Sequence, residues 1–159
     1  MTFDNSRRII SMRIKLFGVT VIFIAYLVLA FGAELIKFPL LGLNDIWWTT
    51  ILAIIWIGFV LYPLFFNYQF FYYSDDDEKI VIRYFNAAIV GGRKNSLEID
   101  KTSFLGYKTE SRLLGLITSI TLFRKINEST AKYPAVYTSA LSGEEKDKLF
   151  RSLNYYSKK

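Results

Sequence analysis

The side chains of this sequence that could do chemistry are carboxylates, lysines, arginines, hydroxyls and phenols, because the chain contains no histidine and no cysteine. Histidine is the commonest general base and metal ligand, and cysteine supplies thiolate nucleophiles and zinc or iron–sulfur ligands. No motif brings the remaining groups together as an active site. The sequence therefore predicts that the protein is not an enzyme and has no catalytic residue, no metal site and no cofactor.

The densest run of charged groups is acidic and covers residues 75–78. Four consecutive acids could suggest calcium, but the alternating ligands and the glycine of an EF-hand loop are missing. Two β-prone segments, residues 69–73 and 79–85, flank the run. A β-hairpin with a solvated acidic turn is the better interpretation.

Basic residues gather before the first apolar segment and again after a glycine pair at positions 91 and 92. The formal net charge of +6 could indicate nucleic acid in a soluble chain. Beside membrane helices, however, lysine and arginine accumulate because they set topology and are attracted by anionic lipids. We therefore expect membrane lipid, and no nucleic acid, as a partner. The candidate lipid contacts are Arg7, Arg8, Arg13, Lys15, Arg93 and Lys94, with Lys108, Arg112, Arg124 and Lys125 as further candidates.

Two long uncharged segments lie between the first basic group and the acidic run. As a helix, residues 16–33 would measure roughly 27 Å at about 1.5 Å per residue, close to the hydrocarbon thickness of a bilayer. Residues 46–66 are also uncharged and begin with Trp47 and Trp48, which suit a membrane interface. We predict a two-helix transmembrane hairpin over residues 16–67, preceded by a basic arm over residues 1–15.

The charges that flank the hairpin predict its orientation. Four basic residues and one acid, Asp4, precede the first segment, whereas the loop over residues 34–45 carries two acids and one lysine. The positive-inside rule therefore places both termini in the cytoplasm. A cleaved signal peptide is the alternative for the first segment, although we expect no cleavage in a sequence that starts at Met1. The C-terminal domain lies on the same side in either case.

Three small residues in the first segment could allow another helix to approach closely. Gly18, Ala25 and Gly32 are seven residues apart and therefore share one helix face, which we call the small-residue stripe. The short connecting loop makes the second helix the first expected partner of the stripe. A different membrane protein is the alternative.

Residues 68–159 have the pattern of a small β-rich domain that ends in a helix. Ser142 and Glu145 form a capping box, and Leu149 and Leu153 lie four apart on one helix face. Short β-prone runs recur about every ten residues, as in many all-β domains. Besides the hairpin strands, we predict strands over residues 95–99, 104–109, 115–125 and 133–138, with loops over 110–114 and 127–132 between them.

This order of elements resembles the bacterial pleckstrin-homology-like domains of small membrane proteins. The resemblance covers residues 68–156 and rests on segments such as YYSDDDEKIVIRYF and ALSGEEKDKLF. It implies a mainly β, α+β fold: a partly open β-barrel capped by the C-terminal helix. It also implies a binding or scaffolding role and a location in the bacterial cytoplasmic (inner) membrane. Phosphoinositide-binding relatives have basic residues in the loop where this chain has residues 75–78, so phosphoinositide recognition is not implied.

Two hypotheses for the function follow. The first is a non-catalytic scaffold or accessory subunit whose hairpin packs in a larger membrane protein complex, or in a homo-oligomer, while its domain binds a cytoplasmic partner. The alternative is a membrane module that senses anionic lipid or another ligand.

Overall fold

The computed structural model describes residues 1–87, 92–127 and 129–157. The chain divides into two compact units. The helical unit is Ile10–Phe65, and the β-rich unit combines Met1–Ile9 with Phe66–Lys159.

The helical unit contains two helices that are long and apolar enough to span a membrane. The first, α1 (Ser6–Leu27), continues into a π-helical turn (Val28–Gly32). The second, α2 (Asp45–Phe65), begins where the Asn44 side chain accepts a hydrogen bond of 3.1 Å from the Trp47 backbone N–H. Such an N-cap satisfies one of the N–H groups that a helix start leaves unpaired. Both helices cover the uncharged segments seen in the sequence.

The first sheet of the β-rich unit is antiparallel. In it, the strand that precedes α1 pairs with the strand that follows α2. Its strands alternate buried and solvent-facing residues, as in the strand Lys79–Asn86, where Ile80, Ile82 and Tyr84 point into the core. In sheet order, the strands are β1 (Thr2–Asp4), β2 (Gln69–Ser74), β3 (Lys79–Asn86) and β4 (Asn95–Asp100).

The second sheet is built around a central strand, which pairs antiparallel with three others. Helix α3 (Gly143–Ser157) follows it and buries Leu149 and Leu153 in the core. The predicted capping box is confirmed: Ser142 Oγ accepts from the Glu145 N–H (3.2 Å) and Glu145 Oε2 from the Ser142 N–H (2.6 Å). The strands are β5 (Phe104–Arg112), the central β6 (Ile117–Ile126), β7 (Ser129–Lys132) and β8 (Val136–Tyr137).

The structure confirms a helical part followed by antiparallel sheets and a C-terminal helix. The predicted strand 133–138 is only Val136–Tyr137, and the predicted strand 115–125 begins at Ile117. Three further details are corrected. Residues 1–15 are not a separate arm, because Thr2–Asp4 pairs with β2 and α1 begins at Ser6. Residues 127–132 are not only a loop, because Ser129–Lys132 pairs with β6. Strand β5 runs to Arg112 instead of ending at residue 109. In each case the added strand segment is short or polar, and it is stabilised by pairing with a neighbouring strand. A local hydrophobic pattern cannot reveal such pairing.

Candidate functional site

Both chain connections to the helical unit leave the β-rich unit at the same end. The buried side chain of Asn5 donates from Nδ2 to the Gln69 carbonyl (3.0 Å) and accepts at Oδ1 from the Phe71 N–H (2.9 Å). Asn5 thus ties the start of α1 to the start of β2. Gln69 in turn lies opposite Asn86, the last residue of β3. We call this end of the unit, which carries Asn5, Gln69 and Asn86, the connection end.

Predicted basic residues from separate parts of the sequence lie at the connection end, on the two edge strands of the first sheet or next to them. Arg7 and Arg8 lie two and three residues after Asn5, and both are exposed. Arg93 and Lys94 are exposed and precede Asn95, which pairs with Tyr84 near the end of β3. The other two predicted residues, Arg13 and Lys15, lie in α1 within the helical unit. Gly91, the first glycine of the predicted turn, lies outside the described residues.

Sequence reasoning did not single out Lys146 for this end. The residue lies in the first turn of α3, and burial together with the positive charge of Arg8 lowers its pKa. Its proximity to Arg8 depends on how α3 crosses the sheets. The capping box was the sequence signal that could have placed Lys146 at a helix start, but nothing local predicted its neighbour.

The turn of the β5–β6 hairpin also belongs to the connection end. Tyr137 donates its N–H to Gln69 Oε1 (3.1 Å), and the same residue pairs with Ser119, near the start of β6. The opposite end of this hairpin, where Phe104 pairs with Arg124, faces Asp100 at the end of β4. The turn residues 113–116 are Leu, Leu, Gly and Leu, and all three leucines are exposed.

The opposite end of the β-rich unit, which we call the distal end, carries the acidic run. Its first acid was predicted to be solvated, and that prediction is wrong, because Asp75 is only 8% exposed. Asp75 accepts hydrogen bonds from the hydroxyl of Ser152 and the amino group of Met1. Ser152 lies 2.7 Å from the Tyr73 hydroxyl, so the three side chains form one buried chain of hydrogen bonds. Residues 76–78 are exposed, as predicted for a turn.

The distal network has the character of structural support. Burial raises the pKa of the Tyr73 phenol, which keeps it protonated and able to act as a hydrogen-bond donor. Lys101 Nζ donates to the Asp75 backbone carbonyl (2.6 Å), which holds the turn against the neighbouring strand end. Within the described part of the chain, no cluster of three or more His, Cys, Asp or Glu could hold a metal ion.

The helical unit does not use the small-residue stripe for its own hairpin contact. Trp56 Nε1 donates to Thr20 Oγ1 (3.1 Å), and the Trp56 ring stacks on Phe23 with centroids 5.3 Å apart. A Cβ built on Gly18 would meet no described heavy atom within 4 Å. Ala25 and Gly32 are exposed.

The expectation that the stripe contacts the second helix is therefore wrong. Large aromatic and threonine side chains fill the space between α1 and α2, as in the hydrogen bond of 2.8 Å between the Tyr26 and Thr49 hydroxyls. These contacts do not require the close backbone approach that glycine permits. The sequence showed these aromatic residues only as part of a general apolar pattern.

Comparison with known proteins adds no identity. No protein-family model, no curated protein and no solved structure matches this chain.

Proposed function

We propose that this chain is a non-catalytic, membrane-anchored accessory subunit whose helices pack against a larger membrane protein. The observation that carries the proposal is the small-residue stripe, Gly18, Ala25 and Gly32, which the hairpin leaves uncontacted. In lipid there is no hydrophobic force between helices, so association depends on close packing, and small residues permit it. A glycine face without an internal partner is suited to a helix from another chain.

The second helix offers a further packing feature of the same kind. Gly58 has no described heavy atom within 4 Å of a built Cβ. It forms the floor of a shallow apolar groove lined by Ile55, Phe59 and Tyr62. Besides the contact between the two helices, α1 thus carries the small-residue stripe and α2 carries an apolar groove at Gly58.

The β-rich unit is proposed to be a pleckstrin-homology-like interaction domain. Two antiparallel sheets enclose a shared core, and Leu149 and Leu153 of α3 pack into it. This arrangement supports the partly open barrel and capping helix that the resemblance implies. Interaction domains of this kind need no catalytic groups, which agrees with a non-catalytic role.

The proposed location is the bacterial cytoplasmic membrane, with both termini in the cytoplasm. Because β1 pairs with β2, residues 2–4 and the β-rich unit share one side of any membrane that α1 and α2 span. The basic residues before α1 make that side the cytoplasm under the positive-inside rule. A reporter fused to the C-terminus should be active only in the cytoplasm, and activity only outside it would contradict this orientation.

The accessory role is tested by enlarging the stripe. We expect the double variant Gly18→Leu, Gly32→Leu to remain inserted, because leucine favours insertion, and to separate from its partner on native gels in mild detergent. The matched control is Phe17→Leu, Phe31→Leu, which changes two exposed residues with the same spacing, one in α1 and one in the π-helical turn, and should keep the complex. Wild-type protein that migrates as a single 18.5 kDa chain after correction for detergent would contradict the proposal.

A second function is favoured by the basic residues of the connection end. Arg7, Arg8, Arg93 and Lys94 come from two distant parts of the sequence and lie at the end from which the helices leave. Basic side chains next to a membrane attract anionic head groups, each contributing about 1 kcal/mol near the surface. We propose a lipid-sensing module as the alternative, in which the domain associates with anionic lipid of its own membrane. A homo-oligomer remains the alternative to a larger complex.

A further inference from the structure

The turn that joins β5 to β6 has an unusual composition for its backbone conformation. Leu113 and Leu114 have φ angles of 50° and 55°, and Gly115 has a φ of 93°. Positive φ values in a hairpin turn are ordinarily occupied by Asn, Asp or Gly, because a larger side chain crowds the backbone. An outlier of this kind points to a role outside folding itself.

The leucine side chains of this turn are also largely exposed in the β-rich unit. Leu114 is fully exposed, with a relative accessibility of 105%, and Leu113 and Leu116 are more than half exposed. Placing three leucines at the tip of a hairpin is unfavourable in water. An apolar environment outside the domain would remove that cost.

Charges around the turn indicate which environment that is. Arg112 directly precedes the turn, and Lys108 lies on the same strand. Glu110 forms ion pairs with both, at 3.8 Å to Arg112 and 3.4 Å to Lys108, which leaves one excess positive charge. A leucine tip with a basic rim is complementary to the boundary between acyl chains and anionic head groups.

The position of the turn agrees with such a surface. It lies at the connection end, together with Arg93, Lys94 and the start of β2. Only residues 66–68 join α2 to β2, and a segment of that length reaches at most roughly 15 Å. The leucine turn therefore lies at the same end of the β-rich unit as the strand start that directly follows α2 in the chain.

We propose that residues 113–116 insert into the interface of the bilayer in which the hairpin is anchored. The insertion orients the β-rich unit, with the connection end on the lipid and the acidic distal end away from it. A few leucines bind a bilayer weakly, but the tether provides a high local concentration, so weak insertion suffices. The inference rests on the proposed membrane anchoring and does not depend on an accessory role.

The test uses the absence of cysteine from the chain, which allows a single introduced thiol to be labelled. Full-length Leu114→Cys carries an environment-sensitive fluorophore and is reconstituted in vesicles that contain anionic phospholipid. We expect emission at shorter wavelength, strong quenching by spin-labelled lipid and little quenching by aqueous iodide. Leu116→Cys provides a second position on the same turn and should behave alike.

Two control positions separate this inference from the anchoring on which it rests. Asp77→Cys, at the exposed distal turn, should be quenched by iodide and not by lipid. Ile54→Cys, in the exposed middle of α2, should be quenched by lipid. If Ile54→Cys is quenched by lipid and both turn positions respond only to iodide, the inference is wrong while the anchoring stands. If Ile54→Cys also responds only to iodide, the anchoring itself fails.

Other surroundings of the leucine turn would give different results, and each of these results would overturn the proposal. Contact with a second copy of the chain would protect the turn from iodide without quenching by lipid, and the protection would fall as the protein is diluted among more lipid. Equal lipid quenching at Asp77→Cys would indicate that the whole domain lies on the membrane without orientation.

Discussion

The two ends of the β-rich unit are built from turns of the same two sheets, yet their chemistry is opposite. At the connection end, Arg93, Lys94 and the leucines of the β5–β6 turn are exposed. At the distal end, Asp75 is turned inward and hydrogen-bonded to Ser152. Groups that stabilise the fold are thus separated from groups that are available to a partner. The domain is therefore chemically polarised: the distal end carries a buried hydrogen-bond chain, and the connection end carries the exposed basic and leucine side chains for which we propose a lipid contact.

The largest expected effect is on the free energy of unfolding, when a leucine is replaced by alanine at each of the two ends. Leu153 is fully buried beside Ser152, whereas Leu114 is fully exposed. Leu153→Ala should lower the free energy of unfolding by about 2–5 kcal/mol, because it removes buried apolar contacts and leaves a cavity. Leu114→Ala should change it by no more than about 0.5 kcal/mol, as is usual at a surface position. Denaturant unfolding of both variants in detergent measures the difference, and similar losses would end the distinction between the two ends.

A smaller effect tests whether the distal hydrogen-bond chain is structural. Asp75→Ala should lower the free energy of unfolding by about 1–3 kcal/mol, because the Ser152 hydroxyl loses a buried acceptor. Asp77→Ala is the matched control, since Asp77 is exposed in the same turn, and it should have almost no effect. If both variants unfold alike, the acidic turn contributes only solvated charge, as the sequence suggested.

The proposed lipid contact of the connection end is tested by reversing one charge at each end of the β-rich unit. Arg93→Glu should weaken the association of the domain with anionic vesicles by more than 1 kcal/mol, since one attraction of about that size is lost and a repulsion is added. Lys79→Glu reverses an exposed lysine at the start of β3, near the distal end, and should leave the association unchanged. The lipid quenching of the Leu114→Cys reporter measures both variants. An equal response to the two reversals would mean that net charge alone, and not the connection end, attracts lipid.

The smallest expected effect concerns Lys146, whose pKa burial and Arg8 lower from the usual 10.5. A lysine with a lower pKa in the folded state loses its proton more readily there than in the unfolded chain. Stability should therefore rise slightly as the pH increases through the lowered pKa towards 10.5. Lys146→Met should remove this rise, because the residue no longer titrates. Thermal unfolding between neutral and alkaline pH measures it, and an undiminished rise in the variant would assign the effect to another group.

Much of the fold could be predicted from local pattern. The uncharged segments indicated both helices of the helical unit, β-prone runs indicated β3 and β6, and the capping box indicated α3. These elements carry their own signal because a helix start or an amphipathic strand is determined by neighbours in sequence. Strand β1 could not be found in this way, since three residues have no usable period and pair with residues about seventy positions later.

For the candidate sites, too, some features could be predicted from local sequence and others depended on long-range packing. Composition determined that there is no thiol or imidazole chemistry, and the sequence located the basic groups and the glycines of α1. Three features became visible only in the folded chain: Arg93 and Arg8 lie at the same end of the unit, Asp75 is buried, and the hairpin contact uses Trp56 and not Gly18. The physical reason is that residue type and helical or strand period are local properties. Which faces and ends meet depends on long-range packing, to which every other element of the chain contributes.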